Sequence, residues 1–354
     1  MYIFIESIPM SRLITVITLV YNNFIYLPEC LRSICTQNYT DIELIIGDDG
    51  SKNFSFSYIF EIISRYAKNN LKSICIYTND TNYGIVKNYM KALSYAKGEY
   101  IFYLAADDMF YDSDVLEDIY HEFISSKHLI LTGYRKCIDP IGNQFLRPRE
   151  EEANILKYAS ISKKYSRIKQ KNIIAGANTP FHKSLCETFQ KIANYAHLED
   201  WPRYLFLLEQ NVDIGFIDRT LIYYRLGGLT SQSNNLLLQK DYELLFRQSS
   251  SLEIFNKIDH FHSIIGIIDL FTDLQMVSII ENTLGRSFDK VITWEIANTI
   301  TNIDHSTYIF VFSSSNYYSI ANQLEEQGMI ENDNFSFINQ EKLNYIVQHW
   351  KRGK

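Results

Sequence analysis

The apolar run Ile101-Phe102-Tyr103-Leu104-Ala105-Ala106 stops abruptly at two adjacent carboxylates, Asp107 and Asp108. An apolar run of this length reads as a buried strand, and its end delivers the paired acids to the edge of a sheet. Neighbouring carboxylates repel each other and need a compensating cation. Ligands that are all oxygen suit a hard ion such as Mg²⁺ or Mn²⁺, which in turn suits a diphosphate. The plainer reading is a solvated strand-to-helix turn in which Asp112 or Ser113 caps the next helix. Two more acidic pairs stand apart in the chain: Asp48-Asp49 ahead of Gly50-Ser51, and Glu199-Asp200 ahead of Trp201-Pro202. A positioned carboxylate can take a proton from a hydroxyl nucleophile. Equally, acids dress the N-terminus of many helices.

The elements that must position these residues alternate in type. Residues 13–20 are β-branched and continuous, as a buried parallel strand should be. Leu27, Leu31, Ile34 and Cys35 recur at helical spacing, with Pro28 in the first turn. Strands are expected over residues 43–47 and 73–77. Helices are expected through Ile59, Ile62, Ile63 and Tyr66, and through Ile85, Tyr89, Leu93 and Ala96, the latter closed by Gly98. Such alternation implies βαβ units, parallel pairing and a Rossmann-like, mostly parallel α/β sheet flanked by helices. Ligands in open sheets of this kind bind outside the carboxyl ends of the strands. Four polar segments fall there: 21–23, 48–51, 79–84 and 107–108. Neither GxGxxG nor GxxxxGK[ST] is present, which weakens a dinucleotide or P-loop reading.

Residues 140–172 are polar, with Arg147-Pro148-Arg149-Glu150-Glu151-Glu152 and Lys163-Lys164, and read as a mobile, solvated excursion over the site. A helix is expected over 183–195 and another through Leu205, Phe206 and Leu208. Two short strands follow at 214–217 and 221–224, ending in Arg225. The polar stretch 231–235 sets an expected boundary between domains 1–232 and 233–354. The second opens with a helical region over 236–271. It continues with a strand at 308–312 and a helix through Ile320, Leu324 and Gly328, and reads as a small α/β unit.

At 354 residues the chain has room for both domains. A net charge of −7 argues against a nucleic-acid binder. Five scattered cysteines without CxxC spacing argue against zinc and fit a reducing cytoplasm. The first residues lack a basic leader region, and no apolar run approaches the ~20 residues of a membrane span. The expectation is a cytoplasmic protein, soluble or at most peripheral at the inner face of the membrane.

Taken in order, several motifs resemble family 2 glycosyltransferases of the GT-A fold, especially bacterial enzymes that build O-antigen or capsular polysaccharide. They are residues 16–23, 31–37 and 45–51, Asn82-Tyr83-Gly84 with Lys87-Asn88, residues 98–101, Asp107-Asp108, Glu199-Asp200-Trp201 and Tyr223-Tyr224-Arg225, and the resemblance covers residues 12–232. It implies an inverting transfer from a nucleotide-sugar, UDP-linked, to a hydroxyl of a glycan or an undecaprenyl-diphosphate-linked acceptor. It also implies roles for single residues. Asp49 would accept the uracil N–H, failing which it caps the turn at Gly50-Ser51. Leu19, Val20 and Tyr21 would pack beside the base, with Gly84 and Lys87 also near the nucleotide. Asp107 and Asp108 would hold the ribose and Mn²⁺ or Mg²⁺. Asp200 would be the general base, and Glu199, Trp201 and Arg225 would meet the acceptor or diphosphate. Trp201 could instead fill the core, and Arg225 could form a structural ion pair. The chain departs from the family pattern at Ala105, where an acid is common, and at Leu226-Gly227-Gly228-Leu229-Thr230, where a histidine is common. Those departures motivate the alternative of an inactive, glycan- or nucleotide-binding relative. A nucleotidyltransferase is disfavoured, because no glycine- and basic-rich triphosphate loop lies near the start.

Overall fold

Near the start, the chain builds strands from runs whose side chains are buried on both faces. In the computed structural model, β1 (Tyr2–Phe4), β2 (Ile14–Val20), β3 (Ile42–Asp48), β4 (Leu71–Thr78) and β5 (Tyr100–Tyr103) alternate with α1 (Leu27–Cys35), α2 (Phe56–Tyr66) and α3 (Ile85–Tyr95). The structure describes residues 2–4, 12–193, 196, 200–227, 240, 257–270, 272–294, 303–313 and 316–349. The chain divides into two units, residues 1–237 and 238–354.

In the first unit, β4, β3, β2 and β5 form a parallel core, with Ile17 opposite both Ile45 and Tyr103. Two antiparallel edge strands complete this six-stranded sheet: β1 beside β4, and β9 (Phe181–His182) beside β5. Leu27, Cys30, Leu31, Ile34 and Cys35 form the buried stripe of α1, and Pro28 lies in its first turn. A second sheet has the order β6 (Met109–Phe110), β10 (Gly215–Arg225), β7 (Leu131–Ile138), β8 (Gln144–Arg147). The chain leaves the first sheet at Tyr103 and enters the second at Met109, so the acid pair sits in the junction between them. The remaining helices of this unit are α4 (Val115–Ser126), α5 (Glu150–Tyr158), α6 (Ile161–Gln170), α7 (Cys186–Ile192) and α8 (Trp201–Glu209).

Several expectations are corrected here. The 140–172 stretch is a hairpin strand and two helices. Lys164 is 2% exposed, held by Asp213 at 2.7 Å and the Ile214 carbonyl at 2.9 Å, and Arg167 is fully buried. The two strands expected at 214–217 and 221–224 are one strand, β10, whose register against β7 shifts between Ile217 and Ile222. Gly98 is not the cap of α3, which ends at Ala96. A Cβ at Gly98 would lie 2.6 Å from the Thr15 amide nitrogen, so the glycine permits close approach to β2.

The second unit holds β11 (Ser263–Ile268), α9 (Leu274–Leu284), β12 (Lys290–Thr293), β13 (Thr307–Val311), α10 (Tyr317–Glu326), β14 (Phe335–Phe337) and α11 (Gln340–His349). Its sheet is parallel in the order β12-β11-β13-β14. The helical region expected to reach residue 271 is a strand from Ser263, because its isoleucines pair on both sides with β12 and β13. The expected boundary at 231–235 lies outside the described residues.

Candidate active site

The strand ends of the central sheet are tied together by their acidic pairs. Asp48 closes β3, and one of its carboxylate oxygens accepts the Gly50 N–H (3.1 Å), the Ser51 N–H (3.0 Å) and the Thr78 hydroxyl (2.6 Å). Turn capping at Gly50-Ser51 therefore belongs to Asp48 and not to Asp49. The other Asp48 oxygen is buried with no hydrogen-bond partner. Gly50 has φ +79°, and a Cβ there would meet the Thr81 carbonyl carbon at 2.8 Å. Glycine is required on both counts.

Asp49, 4% exposed, organises the next loop. Its carboxylate accepts the Asn79 amide, the Tyr83 N–H and the Gly84 N–H, each at 2.9 Å. Gly84, with φ +85°, is the N-cap of α3. Behind it, the buried Asn88 accepts the Tyr77 hydroxyl (2.9 Å) and the Asn79 amide (3.1 Å), and donates to the Gly47 carbonyl (3.1 Å). Lys91 donates to the Asn79 side-chain Oδ1 at 2.6 Å. Sequence reasoning missed the Asn79–Asn88 pair. Its signal was one amide opening loop 79–84 and another in the first turn of α3, too common to single out alone. Lys87 is exposed beside this network, Tyr21 is 48% exposed, Leu19 is half-buried and Val20 is buried. The β2 loop is stitched to the β3 loop through the Asn22 N–H on the Ser51 hydroxyl (2.7 Å) and the Lys52 N–H on Asn22 (3.2 Å).

Asp107 and Asp108 occupy the turn between the sheets. Asp107 is half-buried and Asp108 is 1% exposed. One Asp108 oxygen accepts the Arg225 backbone N–H at 2.8 Å; the other is buried without a hydrogen-bond partner. Burial pushes the Asp108 pKa well above the ordinary carboxylate value, and the Asp107 charge adds to this, against the Arg225 N–H and the charges of Arg225 and Arg135. Burial also raises Asp107, opposed by its own backbone N–H and by Arg225. The Arg225 side chain donates to the Asp107 carbonyl at 2.6 Å, pairs with Glu29 and lies 4.1 Å from the centre of the Tyr26 ring. In this conformation Arg225 is a structural clamp from β10 to the acid turn and α1.

These residues suit a divalent cation. The donors are oxygen only, one is an orphaned buried carboxylate oxygen, and both carboxyl groups are costly to ionise without a nearby positive charge. Among the described residues no group of three or more His, Cys, Asp or Glu could hold a metal. With Ala105 at the turn, two carboxylates are the protein's share, and phosphate and water would complete the shell.

Asp200 is the N-cap of α8, accepting the Trp201 N–H at 2.6 Å and the Asn172 amide at 3.2 Å. Burial raises its pKa, against the Trp201 N–H, Arg203 and Asn172. Arg135 of β7 donates to the Ile173 carbonyl at 3.1 Å, next to Asn172, and the Arg135 charge is also felt by Asp108. Arg135 is thus tied by a hydrogen bond to the 172–173 segment that holds Asp200, and acts on Asp108 through its charge alone. Trp201 corrects the expectation that it meets the acceptor. It is 2% exposed and its indole N–H donates to the Ile168 carbonyl at 2.7 Å, so it anchors the core. Glu199 lies outside the described residues.

A two-sheet α/β unit with acids gathered at the carboxyl ends of parallel strands defines a GT-A-type fold. Residues 15–189 match the model of the family described as Glycosyl transferase family 2. An uncharacterized glycosyltransferase of Haemophilus influenzae is 37% identical over 134 residues, covering 37% of this chain and 50% of that protein. Glycosyltransferase GlyG of Streptococcus pneumoniae is 28% identical over 158 residues, covering 40% of this chain and 51% of that protein. The chain spans about half the length of these curated relatives. The crystal structure of S. aureus TarS 1-349 in complex with UDP-GlcNAc shares the fold, with a TM-score of 0.50 and 20% identity over 69% of this chain and 67% of that one. The chain thus carries a glycosyl transferase family 2 domain.

Proposed function

We propose that this protein transfers a sugar from a UDP-sugar, with inversion, to a hydroxyl of a glycan or lipid-linked oligosaccharide in bacterial surface polysaccharide synthesis, working in the cytoplasm or at the inner membrane face. What supports the reading is the buried Asp107-Asp108 turn at the carboxyl end of the central strands, where one Asp108 oxygen has no hydrogen-bond partner, within the residues that match the family model. Residues 1–232 would form the catalytic domain and 233–354 the accessory one. That TarS was solved with UDP-GlcNAc supports the donor class. No described helix is long and apolar enough to cross a membrane.

Asp49 and the loop it organises would receive the base, with Val20 as the floor and Leu19, Tyr21, Gly84 and Lys87 around it. Asp107 and Asp108 would hold Mn²⁺ or Mg²⁺. When bound, that ion neutralises charge developing on the departing diphosphate. Asp200 would take the proton from the acceptor hydroxyl, and Asn172 fixes the carboxylate for that task. Glu199 stays a candidate for contact with the acceptor, and Arg225 for contact with the diphosphate once Glu29 is displaced.

Calorimetry with UDP, with and without Mn²⁺, tests the site. Binding should strengthen with Mn²⁺ in the wild type, and Asp107→Asn should abolish that gain. Asp200→Asn should keep UDP affinity and lose about 10²–10⁴ in turnover. Near-wild-type transfer by Asp200→Asn at saturating donor rules out the assigned base. Because Ala105 leaves only two carboxylates at the turn, a binding protein without transferase activity is the second reading, and UDP binding with no turnover on any donor would favour it.

A further inference from the structure

β7 and β8 place two arginines directly opposite each other: Arg135 pairs with Arg147 in the antiparallel register. Like charges so placed destabilise a sheet unless something lies between them. Neither arginine has a carboxylate within 4.0 Å among the described residues. Arg135 spends one donor on the Ile173 carbonyl and rests 5.6 Å from the Tyr224 ring, and its Nε is buried without a hydrogen-bond partner. Arg147 makes a long bond to the Leu146 carbonyl (3.4 Å) and lies 4.7 Å from the Phe145 ring. Burial lowers its pKa, with Arg149 and, less strongly, Arg135 adding to this, against the charges of Glu152 and Cys137.

One buried acid, Glu152, faces the pair, but it is already taken. Lys171 binds it at 2.8 Å and the Arg149 N–H at 2.9 Å. Glu151, the next acid on α5, is exposed. Arg135 and Arg147 therefore share one buried carboxylate whose oxygens are already bonded to Lys171 and to the Arg149 N–H, which leaves the two guanidinium groups as an excess of positive charge.

The excess borders the reaction region. Strand pairing puts Arg135 on the same face of the second sheet as Ile222 and Phe110, and Phe110 lies two residues after Asp108. Arg135 also holds the carbonyl next to Asn172, the partner of Asp200. We propose that Arg135 and Arg147 form an anion subsite flanking the transfer centre, which takes a carboxylate or phosphate carried by one of the two substrates. Guanidinium groups suit such oxyanions because their forked donors bind both oxygens at once. The inference rests on the glycosyltransferase reading and narrows its substrates to those bearing a second negative group beyond the donor diphosphate.

The test uses the full chain with Mn²⁺ and calorimetry. One arm compares UDP-glucuronic acid with UDP-glucose, so the anion is on the donor. The other loads the protein with UDP and compares methyl β-glucuronide and glycerol 3-phosphate with methyl β-glucoside and glycerol, so the anion is on the acceptor side. One arm should show a preference for the charged member of at least about tenfold, the scale of a charged hydrogen bond. Arg147→Gln should erase that preference while UDP affinity stays unchanged, and Arg147→Lys should retain part of it. If Arg147→Gln misfolds, Arg147→Met is the second variant. No preference in either arm, or a preference that survives the neutral Arg147 variant, overturns the subsite. If UDP does not bind the wild type, the glycosyltransferase reading fails and takes this inference with it; if UDP binds without discrimination, the subsite alone fails.

Discussion

Replacing Arg225 by methionine isolates what its guanidinium contributes to the junction between the two sheets. The backbone N–H that holds Asp108 at 2.8 Å is untouched by the change. Lost are the bond to the Asp107 carbonyl, the pair with Glu29 and the contact with Tyr26. A hydrogen bond from a charged donor contributes about 1.5–3 kcal/mol. The Glu29 side chain is 47% exposed, so its pair is screened and adds only about 0.2–1 kcal/mol. The ring contact adds about 0.5–1 kcal/mol. These terms share one side chain and do not add fully, so the expected loss is about 2–4 kcal/mol. Urea unfolding should report it in a Trp294→Phe/Trp350→Phe background, where Trp201, buried in the first unit, is the remaining tryptophan. The midpoint should fall with an unchanged denaturant slope. A loss below about 0.5 kcal/mol would mean that the guanidinium is idle and that the clamp is the backbone bond alone.

Gly50→Ala should cost at least about 2 kcal/mol, because a left-handed alanine is strained and its Cβ would strike the Thr81 backbone; a fully stable variant refutes the turn geometry. Trp201→Phe should lower stability by about 1–3 kcal/mol through the lost Ile168 bond and a partial cavity, with the acceptor KM unchanged. A raised acceptor KM at full stability would return Trp201 to the acceptor site. Asp200 carries a pKa raised by burial, so as a base it becomes active only as pH climbs past the ordinary carboxylate range, and the acidic limb of kcat should lie above that range. Asn172→Ala removes a bond that favours the ionised form and should shift the limb higher; an unmoved limb means that another group sets it. The stability sign runs the other way. A raised carboxyl favours the folded state while protonated, so that contribution is lost as pH rises through its folded value, and Asp200→Asn should flatten the slope.

The strands of the first sheet were legible because continuous β-branched runs such as residues 14–20 have few other stable fates. The acid pair at 107–108 was legible for a related reason, since an apolar run has a definite end. Division of labour between neighbours was not. Asp48 and Asp49 are chemically identical in a sequence, and only the strand geometry sends one carboxylate to the turn at Gly50 and the other to the loop at Gly84. Lys164 and Arg167 look like surface charges on a polar helix, yet Asp213, the Ile214 carbonyl and tertiary packing bury them, and those partners are too distant in sequence to see. The split of β10 into two strands failed at Asp218-Arg219, polar residues that a register shift accommodates without ending the strand. The Arg135–Arg147 pairing needs the β7–β8 register, which no spacing rule supplies.

Two like-charged pairs lie near the junction of the two sheets in the first unit. The turn that leaves the central sheet carries two carboxyl groups whose ionisation burial opposes, while the neighbouring row of the second sheet carries two arginines that repel each other. Neither cost is needed for folding, because apolar residues of similar size at these positions would pack without it. Arg225 relieves part of the first through contacts on Asp107 and Asp108, and Arg135 relieves a little more at the range of a few strand spacings. What remains unbalanced has opposite signs on the two sides of one junction. On the proposed reading a divalent cation would offset the acid side, and an oxyanion would offset the arginine side. Binding there should therefore stabilise this unit beyond the direct contacts formed, by removing repulsions built into the ligand-free fold.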